Sequence, residues 1–412
     1  MMAARSSFAP PGARRDVAPW RLMTAAGFGL ANLPYGIFRR AGEAGRVGVR
    51  VGDGVLDLAA LAADGLLDDP DGAFARPALN AFMARGPAAW AATRERVQRL
   101  LSGVDAEPRL VAVDEVELLL PFEVSDYVDF WSSLHHAANS GRIFRPGSDP
   151  LPPNWRHMPI GYHGRSATVV VGGTPVRRPR GQSRPSRDGA PVFGPSAKLD
   201  VELELGFVIG TPSAMGKPVP IERALGHVFG VVLLNDWSAR DLQAFESQPL
   251  GPFLGKSFAT SISPWVTPMA ALAPFRAAPA EPQEPEPPAY LREEPWALDV
   301  ALELELNGER IARTNARHLY WSVAQQIAHL TVNGASLRTG DLLGSGTISG
   351  PERGERGSLL ELSWNGSEPV ALRDGAERAF LEDGDEVVLR GIAGDGYSAV
   401  ALGEVRGRIV GA

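Results

Sequence analysis

The sequence predicts a mainly β fold: a small N-terminal unit, then a large, chiefly antiparallel β domain of sandwich or roll type. Most apolar stretches are short β-branched or alternating runs, which suit strands rather than helices. Glycine and proline (46 and 35 residues) punctuate them, and the tight-turn pairs Asp53-Gly54 and Asn307-Gly308 follow alternating segments. A chain of 412 residues has room for two or three domains at roughly 150 residues each.

Residues 1–20 read as a frayed tail. Their Arg, Ser and Ala, with no acid before Asp16, fit a transit peptide loosely, but Pro10, Pro11 and Pro19 interrupt any amphipathic helix. An N-terminal domain spans 21–118. Within it 46–58 predicts two strands around Asp53-Gly54, and 59–66, 79–83 and 90–101 predict helices; 111–120 is an extended exit. The boundary falls within 105–120, and 119–412 forms the second domain. There, strands are expected over 168–171, 201–209, 228–234, 300–306, 359–364, 386–390 and 399–405, with the best helix over 321–330. The Pro/Glu-rich stretch 273–296 cannot pair inside a sheet and reads as an exposed crossover.

Composition narrows the function classes. With 44% hydrophobic and 22% charged residues, the chain can bury a sizeable core. The absence of cysteine excludes disulfides, thiolate metal sites and a cysteine nucleophile. A net charge of −7 argues against a nucleic-acid surface. No apolar run reaches the roughly 18 residues of a membrane span, so no membrane partner and a cytoplasmic location are expected. The Gly-rich run 343–350 lacks phosphate-loop spacing and reads as a tight backbone turn at a ligand site.

The acidic positions are the most informative. In a strand, residues two apart share a face, so Glu202 and Glu204 would project together. Side by side they raise each other's pKa unless a cation lies between them, and oxygen ligands of this kind suit Mg²⁺ or Ca²⁺. The plainer alternative is a solvated strand face; Glu303 and Glu305 show the same alternation beside a hairpin and read as solvent-facing. Asp236 ends an apolar run, as a metal ligand or as a helix N-cap. If a helix starts there, Arg240 and Gln243 share a face with it. His135-His136 is the one adjacent pair among seven histidines. Lys256, set among glycine and apolar residues, needs an anionic partner if it is buried.

Longer blocks carry a resemblance. NLPYGIF (32–38), DYVDFWSSLHHAANSGRIFR (126–145), LPPNWRHMPIGYHGRSATVVVGGTPVRRPRGQ (151–182), LDVELELGFVIG (199–210), VVLLNDWSARDLQAFESQPLGPFLGKSFATSISPW (231–265), LYWSVAQQ (319–326), RTGDLLGSGTISG (338–350) and LLELSWNG (359–366) closely resemble the fumarylacetoacetase family over nearly the whole chain. The resemblance implies an SH3-like N-terminal barrel followed by a β-sandwich roll, usually as a homodimer. It implies a metal-dependent hydrolase that cuts a carbon–carbon bond in a β-diketo acid, typically fumarylacetoacetate. Asp129, Glu202, Glu204 and Asp236 look like its metal-binding carboxylates for Mg²⁺ or Ca²⁺, with Lys256 and Thr260 around the metal. His136 matches its base, Glu361 the acid that orients it, and Arg240, Gln243 and Lys256 its oxyanion-stabilising set. Arg145, Tyr162, Gln243 and Thr347 fall at substrate-contacting positions. Trp131 and Ser247 stand where family members commonly carry tyrosine, which bears on substrate identity; acylpyruvate hydrolysis on the same core is the neighbouring activity.

Overall fold

The computed structural model describes residues 27–103, 110–185 and 188–412. The tail expected over 1–20 and part of the expected boundary region lie outside these. The N-terminal strands are β1 (Tyr35–Arg39), β2 (Arg46–Val51) and β3 (Gly54–Asp57). The β2–β3 turn is Gly52-Asp53, one residue earlier than expected, because Gly52 takes the left-handed backbone (φ 57°) and Gly54 pairs with Val51. The following helix, Leu58–Ala63, is capped by the Asp57 side chain, which accepts from the Ala60 amide. Helix α1 (Pro87–Leu101) begins on a proline, tolerated in the first turn because the missing N–H has no helical partner there.

The C-terminal half follows with β4 (Tyr127–Phe130), helix α2 (Leu134–Phe144), β5 (Leu203–Ile209), β6 (Val228–Asp236), helix α3 (Arg240–Glu246) and β7 (Trp265–Pro268). After the crossover come β8 (Ala301–Leu306), β9 (Glu309–Asn315), helix α4 (Val323–Thr331), β10 (Leu342–Gly344), helix α5 (Leu359–Leu362), β11 (Glu386–Ala393) and β12 (Val400–Val410). The fold is mainly β, as expected. Among the described residues no closed N-terminal barrel is seen. Instead β1 pairs with β7, and one sheet runs β3-β2-β1-β7-β6-β5-β10-β4. A second sheet runs β9-β8-β11-β12.

The long apolar runs β5 and β6 are buried on both faces, which explains why they do not alternate with polar residues. Leu203, Leu205, Phe207, Val231 and Leu233 face a core shared with β8, β11 and β12. Val208, Phe229, Val232 and Leu234 face the core of the N-terminal segment, with Ile37, Phe82 and Leu100. Glu303 and Glu305, on the outer face of β8, pair with Arg310 and Arg390. Among the described residues no helix is long and apolar enough to cross a membrane.

One expected strand, 359–364, is a helix. Ser358 accepts from the Glu361 amide, and Asp200 accepts from the Leu359 and Leu360 amides at 2.8 and 3.1 Å. Those bonds satisfy the first-turn donors that a strand reading leaves unpaired. Likewise Asp236 is no N-cap: β6 runs through it and α3 starts only at Arg240.

Gly141 places α2. A Cβ there would sit 1.8 Å from the Pro150 carbonyl oxygen, which belongs to backbone and cannot swing aside. Gly141→Ala should lower the denaturant midpoint by the equivalent of about 1–3 kcal/mol, the cost of overpacking. Gly194→Ala, with no atom within 4 Å of its Cβ, should leave it nearly unchanged.

Candidate active site

Sheet register brings four carboxylates to one end of neighbouring strands. Asp129 on β4 lies opposite Gly344 on β10, which borders β5 with Glu204; Asp236 ends β6. Glu202 precedes β5 rather than belonging to it, since the strand expected over 201–209 is interrupted there, and its amide donates to Asn235 Oδ1 at 3.0 Å. Oxygens of all four lie within 4.8 Å of one another, and all four residues are buried.

Electrostatics make this arrangement costly without a cation. Burial first, and neighbouring carboxylates second, push Asp129 and Glu204 well above the carboxylate range. Burial also raises Asp236, although Lys256 opposes it. Glu202 differs: burial would raise it, but Lys256 and Arg240 outweigh that and hold it low. Lys256 touches Glu202 and donates to Asp236 Oδ2 at 3.0 Å. Arg240 donates to Asp200 at 2.8 Å and Glu202 at 2.7 Å, and to Gln243 at 3.2 Å. Thr260 donates to Asp236 Oδ1 at 2.8 Å, so Lys256 and Thr260 both reach the cluster through its carboxylates.

The donor set fits a hard divalent ion. Asp129 Oδ1 and Glu204 Oε1 are buried with no hydrogen-bond partner, a state that normally costs several kcal/mol for a charged group and that an ion would relieve. Glycine lets the two carboxylates stand here: a Cβ on Gly344 would lie 2.7 Å from Asp129 Oδ1 and 3.1 Å from Glu204 Oε2. The Gly-rich run contributes further, because the Gly346 amide donates to Glu204 Oε2 at 3.0 Å.

His136 stands beside this cluster. Ser133 caps α2 by accepting from the His136 amide, which fixes the residue in the first turn. Its Nδ1 lies 2.6 Å from Glu361 Oε2. Asn139 donates to Glu361 Oε1, and Ser349 and Ser358 donate to Oε2, each at 2.9 Å. Burial would raise the Glu361 carboxyl; His136, Asn139 and Ser358 outweigh it and bring it down to about 2. An ionised Glu361 accepting at Nδ1 leaves Nε2 as the free ring position, with only Ser140 near it at 3.5 Å.

Both groups open on a cavity of about 460 Å³, lined by Asp129, His136, Glu202, Arg240, Gln243 and Lys256, with Trp131, Arg145, Tyr162, Ser247 and Thr347. Tyr162 donates to Asp236 Oδ2 at 2.9 Å. Glu204, Asp236, Thr260 and Glu361 lie behind these residues. A larger cleft, about 670 Å³, lies elsewhere, by Trp265 and β12. Two of its arginines, Arg390 and Arg406, are paired with glutamates. Sequence reasoning did not single out Asp200, Asn139, Ser349, Ser358 or Gly344. Ser358 had a legible signal, the Ser-x-x-Glu pattern of a helix start, and Gly344 and Ser349 lie in the Gly-rich run read as a turn at a ligand site.

The fold and this site define a mainly β enzyme whose buried carboxylates could hold a divalent cation beside an oriented imidazole. Residues 127–410 match the family model described as Fumarylacetoacetate (FAA) hydrolase C-terminal, and 31–121 the one described as Fumarylacetoacetase N-terminal. The chain is 46% identical to Fumarylacetoacetase of Homo sapiens over 404 residues, and 46% identical to that of Arabidopsis thaliana over 408. Each match covers 93% of this chain and 96% of the relative. Among solved structures, fumarylacetoacetate hydrolase from psychrophilic Exiguobacterium antarcticum shares the fold (TM-score 0.56, 18% identity, 92% of this chain and 100% of that one). The chain belongs to the fumarylacetoacetase family.

Two outcomes follow from the geometry. Gly344→Ala, by forcing Asp129 and Glu204 from their places, should abolish the Mg²⁺ or Ca²⁺ heat seen by calorimetry, as should Glu204→Gln. For Glu361, a folded value near 2 against an ordinary 4.5 means its stabilisation is complete above about pH 4.5 and lost as pH falls toward 2. The wild type should therefore exceed Glu361→Gln in unfolding free energy by up to about 3 kcal/mol at neutral pH, with the gap closing across that window.

Proposed function

We propose that this chain hydrolyses a carbon–carbon bond in a β-diketo acid, converting fumarylacetoacetate and water to fumarate and acetoacetate. The observation that carries this reading is His136, backed by Glu361 and opening on the same cavity as Asp129, Glu202 and Lys256. Family membership at 46% identity over nearly the full chain supports the substrate.

Asp129, Glu202, Glu204 and Asp236 would hold the ion, Mg²⁺ or Ca²⁺, which would supply Lewis acidity toward the diketone oxygens. His136 Nε2 takes a proton from water as the water oxygen bonds to one carbonyl carbon. Glu361 holds the ring in the tautomer this needs and stabilises the imidazolium that forms. Lys256 uses two of its three N–H donors on Glu202 and Asp236, so the third can meet the developing oxyanion with Arg240 and Gln243. The bond between the attacked carbon and its neighbour then breaks. The electron pair leaves as the enolate of the second product, and the proton held by His136 returns to it. Arg145, Tyr162 and Thr347 are assigned to binding the substrate.

Trp131 and Ser247 line the cavity. An indole only donates, and a serine is short, so a related acylpyruvate is the second candidate substrate. The division into an N-terminal domain ending near residue 118 and a catalytic domain from 119, and a homodimeric assembly, belong to the same proposal.

The purified protein should turn over fumarylacetoacetate faster than simple acylpyruvates in a spectrophotometric assay, lose activity in EDTA and regain it with Mg²⁺ or Ca²⁺. His136→Ala should lower kcat by roughly 100-fold or more while binding metal normally. A variant that keeps near-wild-type kcat removes His136 from the mechanism.

A further inference from the structure

A second cluster of metal-ligating side chains lies outside this site. His135 precedes His136 on α2, so its ring leaves the helix about 100° around the axis from the His136 ring. Glu281 comes from the Pro/Glu-rich crossover. His318 ends the short 3-10 turn Ala316–His318 after β9. Ligand atoms of the three lie within 4.8 Å of one another, and each residue is half-buried. His135 Nε2 is 3.0 Å from Glu281 Oε1, and the rings of His135 and His318 meet edge-on with centroids 5.6 Å apart.

A hydrogen bond accounts for His135 and Glu281 but not for the third member. His318 Nδ1 is buried and has no hydrogen-bond partner, although it belongs to a ring packed against that pair. The crossover is also held in place two residues beyond Glu281, where Gln283 exchanges hydrogen bonds of 2.9 Å with Gln325 of α4. Glu281 is thus presented by an anchored segment, which lowers the entropy lost on binding an ion.

We propose that His135, Glu281 and His318 form a second metal site, specific for Zn²⁺ or a similar transition ion and separate from the four-carboxylate centre. Two imidazole nitrogens and one carboxylate oxygen suit Zn²⁺, Co²⁺ or Ni²⁺, whereas the all-oxygen cluster suits Mg²⁺ or Ca²⁺. Three protein ligands leave at least one coordination position to water, so the ion exchanges with solvent rather than being locked in. Its occupancy joins α2, the crossover and the turn after β9, which are distant in sequence, and so braces the helix that carries His136.

The test is calorimetric titration of the full chain with Zn²⁺ in saturating Mg²⁺. The wild type should bind one equivalent per chain. His318→Ala and Glu281→Gln should weaken that event at least about tenfold, and Glu204→Gln should retain it. X-ray absorption of the Zn²⁺-loaded wild type, which needs no variant, should show two imidazoles on the ion. Absence of Zn²⁺ binding under these conditions, undiminished affinity in folded His318→Ala, or an event lost in Glu204→Gln alone would each overturn the proposal.

Discussion

Buried negative charge is the constraint on which this structure turns. Asp129, Asp200, Glu202, Glu204 and Asp236 are all removed from water, and Arg240 and Lys256 are the cations set among them. The cations are spent unevenly. Arg240 serves Asp200 and Glu202, and Lys256 serves Glu202 and Asp236, so Asp129 and Glu204 are left with buried, unpartnered oxygens. Charge left uncompensated in this way would strongly destabilise an ordinary core. A divalent cation would compensate them, and the missing Cβ at Gly344 lets Asp129 and Glu204 stand side by side.

The sheet and the loops divide the work. Strand register sets the positions of Asp129, Glu204 and Asp236, because β4, β10, β5 and β6 follow one another in the sheet and are buried on both faces. Asp200 then ties the carboxylate cluster to His136. It pairs with Arg240 on one side and caps α5 on the other, and α5 carries Glu361 to His136. The His136–Glu361 pair is thereby held from two separate helices, with its geometry supported by a carboxylate that does not line the cavity.

Much of the fold was legible because it rests on local pattern. The apolar runs at 228–234 and 386–390 and the Asn307-Gly308 turn became strands and a hairpin, since burial on one or both faces is written into each run. Glu303 and Glu305 were read as outward-facing from alternation, and they are. The same alternation at Glu202 and Glu204 ends in a fully buried cluster, so alternation alone cannot separate the two cases. What separates them is Asn235, Lys256 and Gly344, which lie 30 to 140 residues away in the chain. The strand expected over 359–364 went astray on two counts: the local Ser-x-x-Glu start at Ser358 marks a helix, and Asp200, remote in sequence, accepts from its first two amides. The N-terminal barrel came from resemblance, whereas the β1–β7 pairing shows these strands continuing the sheet that carries the four carboxylates.

The proposed chemistry requires one divalent ion among these four carboxylates. The most direct measurement is anomalous scattering from crystals of the protein grown with Mn²⁺, an oxygen-preferring ion that can stand in for Mg²⁺. The expected result is an anomalous peak bonded to oxygens of Asp129, Glu202, Glu204 and Asp236. Crystals whose manganese lies elsewhere, with these side chains turned apart or salt-bridged only to Lys256 and Arg240, would contradict it.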